Sequence, residues 1–169
     1  MARRCFVSCV LTLAFLGSAS ADDAKNQFPE SVQAVLDKAD QIEVLSLDPW
    51  IARDKIKNDF HGTEVLGKTV LKDAEARTKL VAALTKGVKD KKGEVATAAF
   101  YPRYAIRATQ GKKTVDLLIS LDDSVVLVYV GDAEAPAAPD VFTTKSARPL
   151  LDAILRDAKV PQASKPGKK

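Results

Sequence analysis

The chain has 169 residues, 46% of them hydrophobic, and a formal charge of +4. That length and apolar content suit one ordinary core, and the small excess of positive charge argues against a dedicated nucleic-acid binder. One histidine and two cysteines, Cys5 and Cys9, leave little for metal or thiol chemistry.

The chain opens with Arg3 and Arg4, an apolar run from Cys5 to Leu16, and the small residues Ala19, Ser20 and Ala21. This is the pattern of a secretory signal with an A-x-A cleavage site after Ala21. The run is shorter than the ~20 residues that cross a bilayer, so no membrane span is expected once it is removed. Cys9 lies inside the run rather than after it, which argues against a lipid-attachment cysteine. Removal of residues 1–21 takes both cysteines and two arginines, leaving a cysteine-free chain of formal charge +2 in the periplasm or outside the cell. Residues 22–28 read as a short leader, 29–160 as a single domain, and 161–169 (PQASKPGKK) as a disordered basic tail.

Within the domain, Val32, Val35, Leu36 and Ala39 follow helical spacing over 29–40, with Pro29 in the first turn. Residues 42–47 (IEVLSL) read as a strand that stops at Asp48-Pro49. Trp50 follows, either closing the core edge or standing exposed for recognition. A second strand covers 63–71, with Gly67 marking a bulge or a close backbone approach. Asp73 caps a second helix carrying Ala76, Leu80, Leu84 and Val88 on one stripe and ending near Gly87. The KDKK run, 89–92, reads as a solvated loop. Four strands follow, over 94–100, 103–109, 114–121 and 125–130, then a proline-rich loop, 132–140, and a helix capped by Ser146 with Leu150, Leu151, Ile154 and Leu155 facing inward. The order is helix, two strands, helix, four-strand meander, helix. It predicts an α+β fold: an antiparallel sheet of about five to six strands with helices packed on one face.

A turn at Gln110-Gly111-Lys112-Lys113 pairs Arg107 with Asp116, Ala105 with Leu118 and Arg103 with Ser120. A further turn at Asp122-Asp123 sets Asp116 opposite Tyr129, although Asp-Asp is a poor two-residue turn. The alternate face, with Tyr104, Ile106, Ala108, Val115, Leu117, Ile119, Val126, Val128 and Val130, is almost wholly apolar and must meet the helices. Two readings of the charged row stand. A cross-strand pair contributes roughly 0.2 to 1 kcal/mol and penalises a one-residue slip. Alternatively, Arg103 and Arg107 offer bidentate recognition of a carboxylate or phosphate, with Asp116 orienting Arg107. The candidate binding residues are Arg103, Arg107, Asp116, Tyr129 and Tyr104.

The run FYPRYAIRA, followed by GKKTVDLLIS and VVLVY, resembles a family of small exported bacterial proteins with no assigned activity. Phe100, Pro102, Arg103, Ile106, Arg107, Gly111, Thr114, Val115 and Asp116 carry the resemblance, which spans most of 42–130. Where that family carries cysteines this chain has Ala99, Ser120 and Asp123, and Tyr104 replaces its histidine. The resemblance implies that any Cys and His site of the family is lost here while the scaffold is kept.

No complete catalytic set emerges. His61, in Phe60-His61-Gly62, reads as a turn residue, and no nucleophile-elbow motif surrounds Ser46, Ser120 or Ser124. Asp122 and Asp123 suit a turn better than a metal site. Gly62 and Gly67 make no phosphate-binding loop, so no cofactor is expected. The leading expectation is a non-enzymatic exported module that binds a protein or envelope component. The alternatives are a catalytically altered member of a metal or redox family, and an inhibitor of an envelope hydrolase acting through the loop 133–140.

Overall fold

A computed structural model describes residues 27–92, 99–137 and 140–164. The expected signal segment and the end of the tail lie outside these residues. The described elements are α1 (Glu30–Asp37), β1 (Gln41–Asp48), β2 (Asp59–Phe60), β3 (Thr63–Leu71), α2 (Ala74–Asp90), β4 (Tyr104–Gln110), β5 (Lys113–Ser120), β6 (Val125–Val130), β7 (Val141–Phe142) and α3 (Arg148–Asp157). The strands form one antiparallel sheet in the order β2-β3-β1-β4-β5-β6-β7. The α+β class and the packing of helices on the sheet are as expected. The two additional strands, β2 and β7, have two residues each, too short for a period-2 pattern.

The main core lies between the sheet and the helices. Leu36 of α1, Leu80 and Leu84 of α2, and Leu151 and Leu155 of α3 meet Ile106, Leu117 and Ile119 from the apolar sheet face. Two-residue spacing along a strand sends these side chains to one side and leaves Arg107 and Asp116 on the other. Val130, assigned to the same apolar row, is the exception at 44% exposure, because β6 ends there. Gly111 takes φ 56 at the tip of the β4–β5 hairpin, as a two-residue turn requires of its first position. The register therefore falls as the sequence predicts, with Arg107 opposite Asp116 and Asp116 opposite Tyr129. The β5–β6 connection is longer than Asp122-Asp123 alone, since Ser120 pairs with Val125 and Ser124 absorbs a φ of 61.

Several boundaries move. Most of the strand expected over 94–100 lies outside the described residues, and Ala99 and Phe100 are not in a strand. Asp73 caps α2 as expected, accepting from the Glu75 and Ala76 amides, but α2 runs past Gly87 to Asp90, so Lys89 is helical. Ser146 does not cap the last helix. Thr144 caps a 3-10 turn (Lys145–Ala147), and α3 starts from it at Arg148. Phe28, placed in the leader, is buried in the core. Trp50 is half-buried and belongs to neither apolar cluster. The chain also stays on the fold past Pro161: Gln162 donates to the Asp152 carbonyl at 3.3 Å, and Ala163 is buried.

The second sheet face carries a smaller apolar cluster of Leu45, Leu47, Phe60, Ala105, Leu118 and Tyr129. It is covered by the β2–β3 hairpin. Ser46 pairs with Gly67 and Leu47 with Val65, so Leu66 is an extra residue in β3. Such a bulge bends its strand and increases the local twist. At the same place Gly67 lets the last turn approach, since a Cβ there would sit 3.0 Å from Val160 Cγ1. Both readings of Gly67 hold.

Glu64 anchors the chain entering this hairpin. Its buried carboxylate accepts from the Lys57 and Asn58 amides at 2.6 and 3.2 Å. The Lys57 amide above all holds the Glu64 carboxyl below its ordinary 4.5, outweighing the effect of burial. A lowered folded-state pKa contributes stability that is present above the ordinary value and lost as pH falls through the lowered one. Glu64→Gln should thus melt below the parent at neutral pH, and the gap should narrow as pH falls below the ordinary carboxylate value. Thermal melts across that range check it, and an undiminished gap at the acid end would refute the assignment.

Candidate functional site

The β2–β3 turn is built from His61 at φ 49 and Gly62 at φ 78, two positive values in succession, as in a type I′ hairpin. Asn, Asp or Gly usually fills the first of these positions, so a histidine there is a departure that its turn role does not explain. Its ring accounts for it. Three strand spacings, about 14 Å in a flat sheet, separate β3 from β5. The sheet nonetheless curls until His61 Nε2 lies 2.8 Å from Asp116 Oδ2 on β5.

Asp116 is the centre of the cluster, with its side chain 1% exposed. Arg107 Nε donates to Oδ1 at 2.8 Å and Nη2 to Oδ2 at 2.7 Å, a bidentate pair across the β4–β5 register. A carboxylate that already receives two guanidinium N–H groups is an acceptor, so His61 Nε2 donates to it and Nδ1 points elsewhere. The imidazole stacks on Tyr129 with centroids 3.8 Å apart at 23°, and Phe60 meets its edge at 4.9 Å. The Arg107 Cζ atom lies 5.0 Å over the Phe60 ring. Arg107 is therefore gripped by a carboxylate and an aromatic face together. The Asp116 hydrogen bonds raise its pKa further, and burial raises that of the Tyr129 phenol.

Around this cluster opens a cleft of about 850 Å³, lined by the hairpin (Asp59, His61), Arg53, the sheet (Arg107, Asp116, Tyr129) and the β6–β7 loop (Asp132, Glu134). A smaller hollow of about 310 Å³, bordered by Asp48, Ile51 and Phe100, adjoins it across His61 and Tyr129.

Of the five residues singled out from the sequence, Arg107, Asp116 and Tyr129 come together in this cleft. Arg103 does not join them: its Nη2 donates to the Ala163 carbonyl at 2.6 Å, while Nε is buried without a hydrogen-bond partner. Tyr104 lies on the helix side of the sheet, where its hydroxyl donates to Asp152 Oδ1 of α3 at 2.6 Å. Burial, and after it this bond, raises the Tyr104 pKa. His61 lies in a turn, as its sequence context predicts, but no local signal in the sequence shows that this turn folds over the polar face.

A histidine hydrogen-bonded to a buried carboxylate is the orienting half of a nucleophilic triad. None of the serines considered supplies the other half. Ser120 Oγ bonds to the Tyr101 carbonyl and Asp123, while Ser46 and Ser124 do not line the cleft. Asp123 accepts from the Tyr101 amide at 2.9 Å, and Asp122 accepts from Arg148 at 2.8 Å, so both turn carboxylates hold neighbouring chain. Among the described residues no group of three or more His, Asp or Glu side chains is placed to hold a metal ion, and no helix is long and apolar enough to cross a membrane. Compared with protein-family models, with curated proteins and with solved structures, the chain gives no match.

Proposed function

We propose that this protein is an exported binding module, and that its recognition surface is the cleft between the β2–β3 hairpin and strands β4–β6. The observation that carries this reading is how the charged cluster is used. Both Asp116 oxygens, two Arg107 nitrogens and His61 Nε2 are spent on one another, so the cluster holds the hairpin down rather than presenting a reactive group. What it holds open is a cleft with fixed walls and a polar rim. The signal-like first 21 residues support export, and the resemblance to small exported bacterial proteins points the same way. In this reading the matched residues Arg107, Gly111 and Asp116 serve the scaffold of the site, and the partner is a protein or envelope component.

Site-specific photocrosslinking in the producing cells tests the proposal. A photoreactive residue at Ala133, on the cleft rim, should give a discrete adduct with another macromolecule. The same residue at Lys79, on the exposed side of α2, should not. Equal labelling from both positions, or none from the rim, would refute the assignment.

A further inference from the structure

The charges of the cleft are not balanced. Arg107 pairs with Asp116 in the wall and is also within the field of Asp132, so the lining carries Arg53 and Arg107 against four carboxylates, Asp59, Asp116, Asp132 and Glu134. Asp59, Asp132 and Glu134 are exposed, and none forms a hydrogen bond or ion pair with a described residue. The chain as a whole is basic, so this acidic rim runs against its overall charge.

A second observation points to a ligand from inside the cleft. Tyr129 is 7% exposed and its ring is fixed beneath His61, yet its hydroxyl makes no hydrogen bond with a described residue. The hydroxyl is not among the fully enclosed polar atoms without a partner, and the side chain lines both the cleft and the adjoining hollow, so it opens onto them. Burial keeps the phenol protonated, with oxygen lone pairs available to a donor. A buried phenol usually finds a partner, and here only water or a ligand in the cleft can supply it.

Three ligand chemistries can be weighed against these groups. An anion would meet Arg53 and the outer edge of Arg107, but also the three exposed carboxylates. A sugar stacks on an open aromatic face, and in the cleft one face of Tyr129 is occupied by His61 and one of Phe60 by Arg107. A cation meets the rim charges with the favourable sign, and an ammonium at the end of an aliphatic stem can reach the phenol oxygen while the stem lies along the wall. We infer that the cleft takes lysine ammonium groups from an exposed lysine-rich segment of a partner protein. This rests on the reading of the cleft as a binding surface.

The test is a titration of the purified, isotopically labelled protein with hexalysine and, separately, hexaglutamate, followed by amide NMR shifts at low and at physiological salt. Hexalysine should shift residues 59–62, 107 and 129–134, less so as salt rises, and hexaglutamate should not. The double variant Asp132→Asn, Glu134→Gln should weaken hexalysine binding by about tenfold without changing the rest of the spectrum. Tyr129→Phe, which keeps the stack under His61, should weaken it further. Absence of shifts at millimolar hexalysine, shifts spread over the whole surface and unaffected by the double variant, or the same shifts with hexaglutamate would overturn the inference. If the rim crosslinks in cells but hexalysine fails, the ligand class is wrong and the binding surface stands. If the rim does not crosslink, the reading beneath both is refuted.

Discussion

Arg107→Met should lose about 3 kcal/mol of folding stability, and Asp116→Asn should lose less, about 1 to 2 kcal/mol. The asymmetry follows from exposure. Asp116 is 1% exposed, so removing Arg107 leaves a buried carboxylate with only the imidazole beside it. Breaking a buried pair from that side costs about 3 to 5 kcal/mol. The low end applies here because Arg107 is 42% exposed and solvent already screens part of the attraction. In the reverse variant the guanidinium can rehydrate, and asparagine still offers one acceptor. Urea unfolding of both single variants and the double variant should give a coupling above about 1 kcal/mol. Single variants within about 0.5 kcal/mol of the parent would mean that the cluster does not hold the hairpin.

Gly87→Ala should destabilise the protein by about 1 to 2 kcal/mol, although the same change in a free helix gains about 1 kcal/mol. Gly87 sits inside α2, and its carbonyl accepts from the Thr144 amide at 3.0 Å. A Cβ would lie 2.8 Å from Thr143 Oγ1 and 3.0 Å from Ser146 Oγ. Thr143 is buried and cannot turn away without displacing the segment that leads into α3. Overpacking of this kind costs about 1 to 3 kcal/mol, which outweighs the gain in helix propensity. Thermal or urea unfolding decides it, and a stabilised variant would show that the 143–146 segment yields freely.

Gly87 also marks the boundary of what could be read from the chain. In sequence it looks like a helix end, because glycine usually serves there. Only the approach of Thr143 and Ser146, far along the chain, shows that it is kept small for packing. The hairpin from β4 to β5 was the opposite case. Gly111 and the alternation on either side set its register, since a one-residue slip would bury Arg107 and Asp116 among the helices.

His61 stands between these cases. Its hairpin turn is local and legible, and its placement is not, because contact with Asp116 and Tyr129 needs the sheet to curl across strands that are not its neighbours. The last residues before 164 behave likewise. Their composition reads as a loose end, yet Arg103 and Asp152, which bind them, come from the segment entering β4 and from α3, which only folding brings near.

By itself the sequence determined the α+β class, the split between the apolar and charged sheet faces, and the Arg107 to Asp116 to Tyr129 row. All of these follow from periods and turns that act over a few residues. The tertiary structure alone decided that the β2–β3 hairpin closes over the charged face, that His61 completes the cluster, that Arg103 turns to the Ala163 carbonyl, and that Tyr104, already on the apolar face, bonds to Asp152 of α3. Those outcomes depend on contacts between segments far apart in sequence, which form only as the strands and helices pack together.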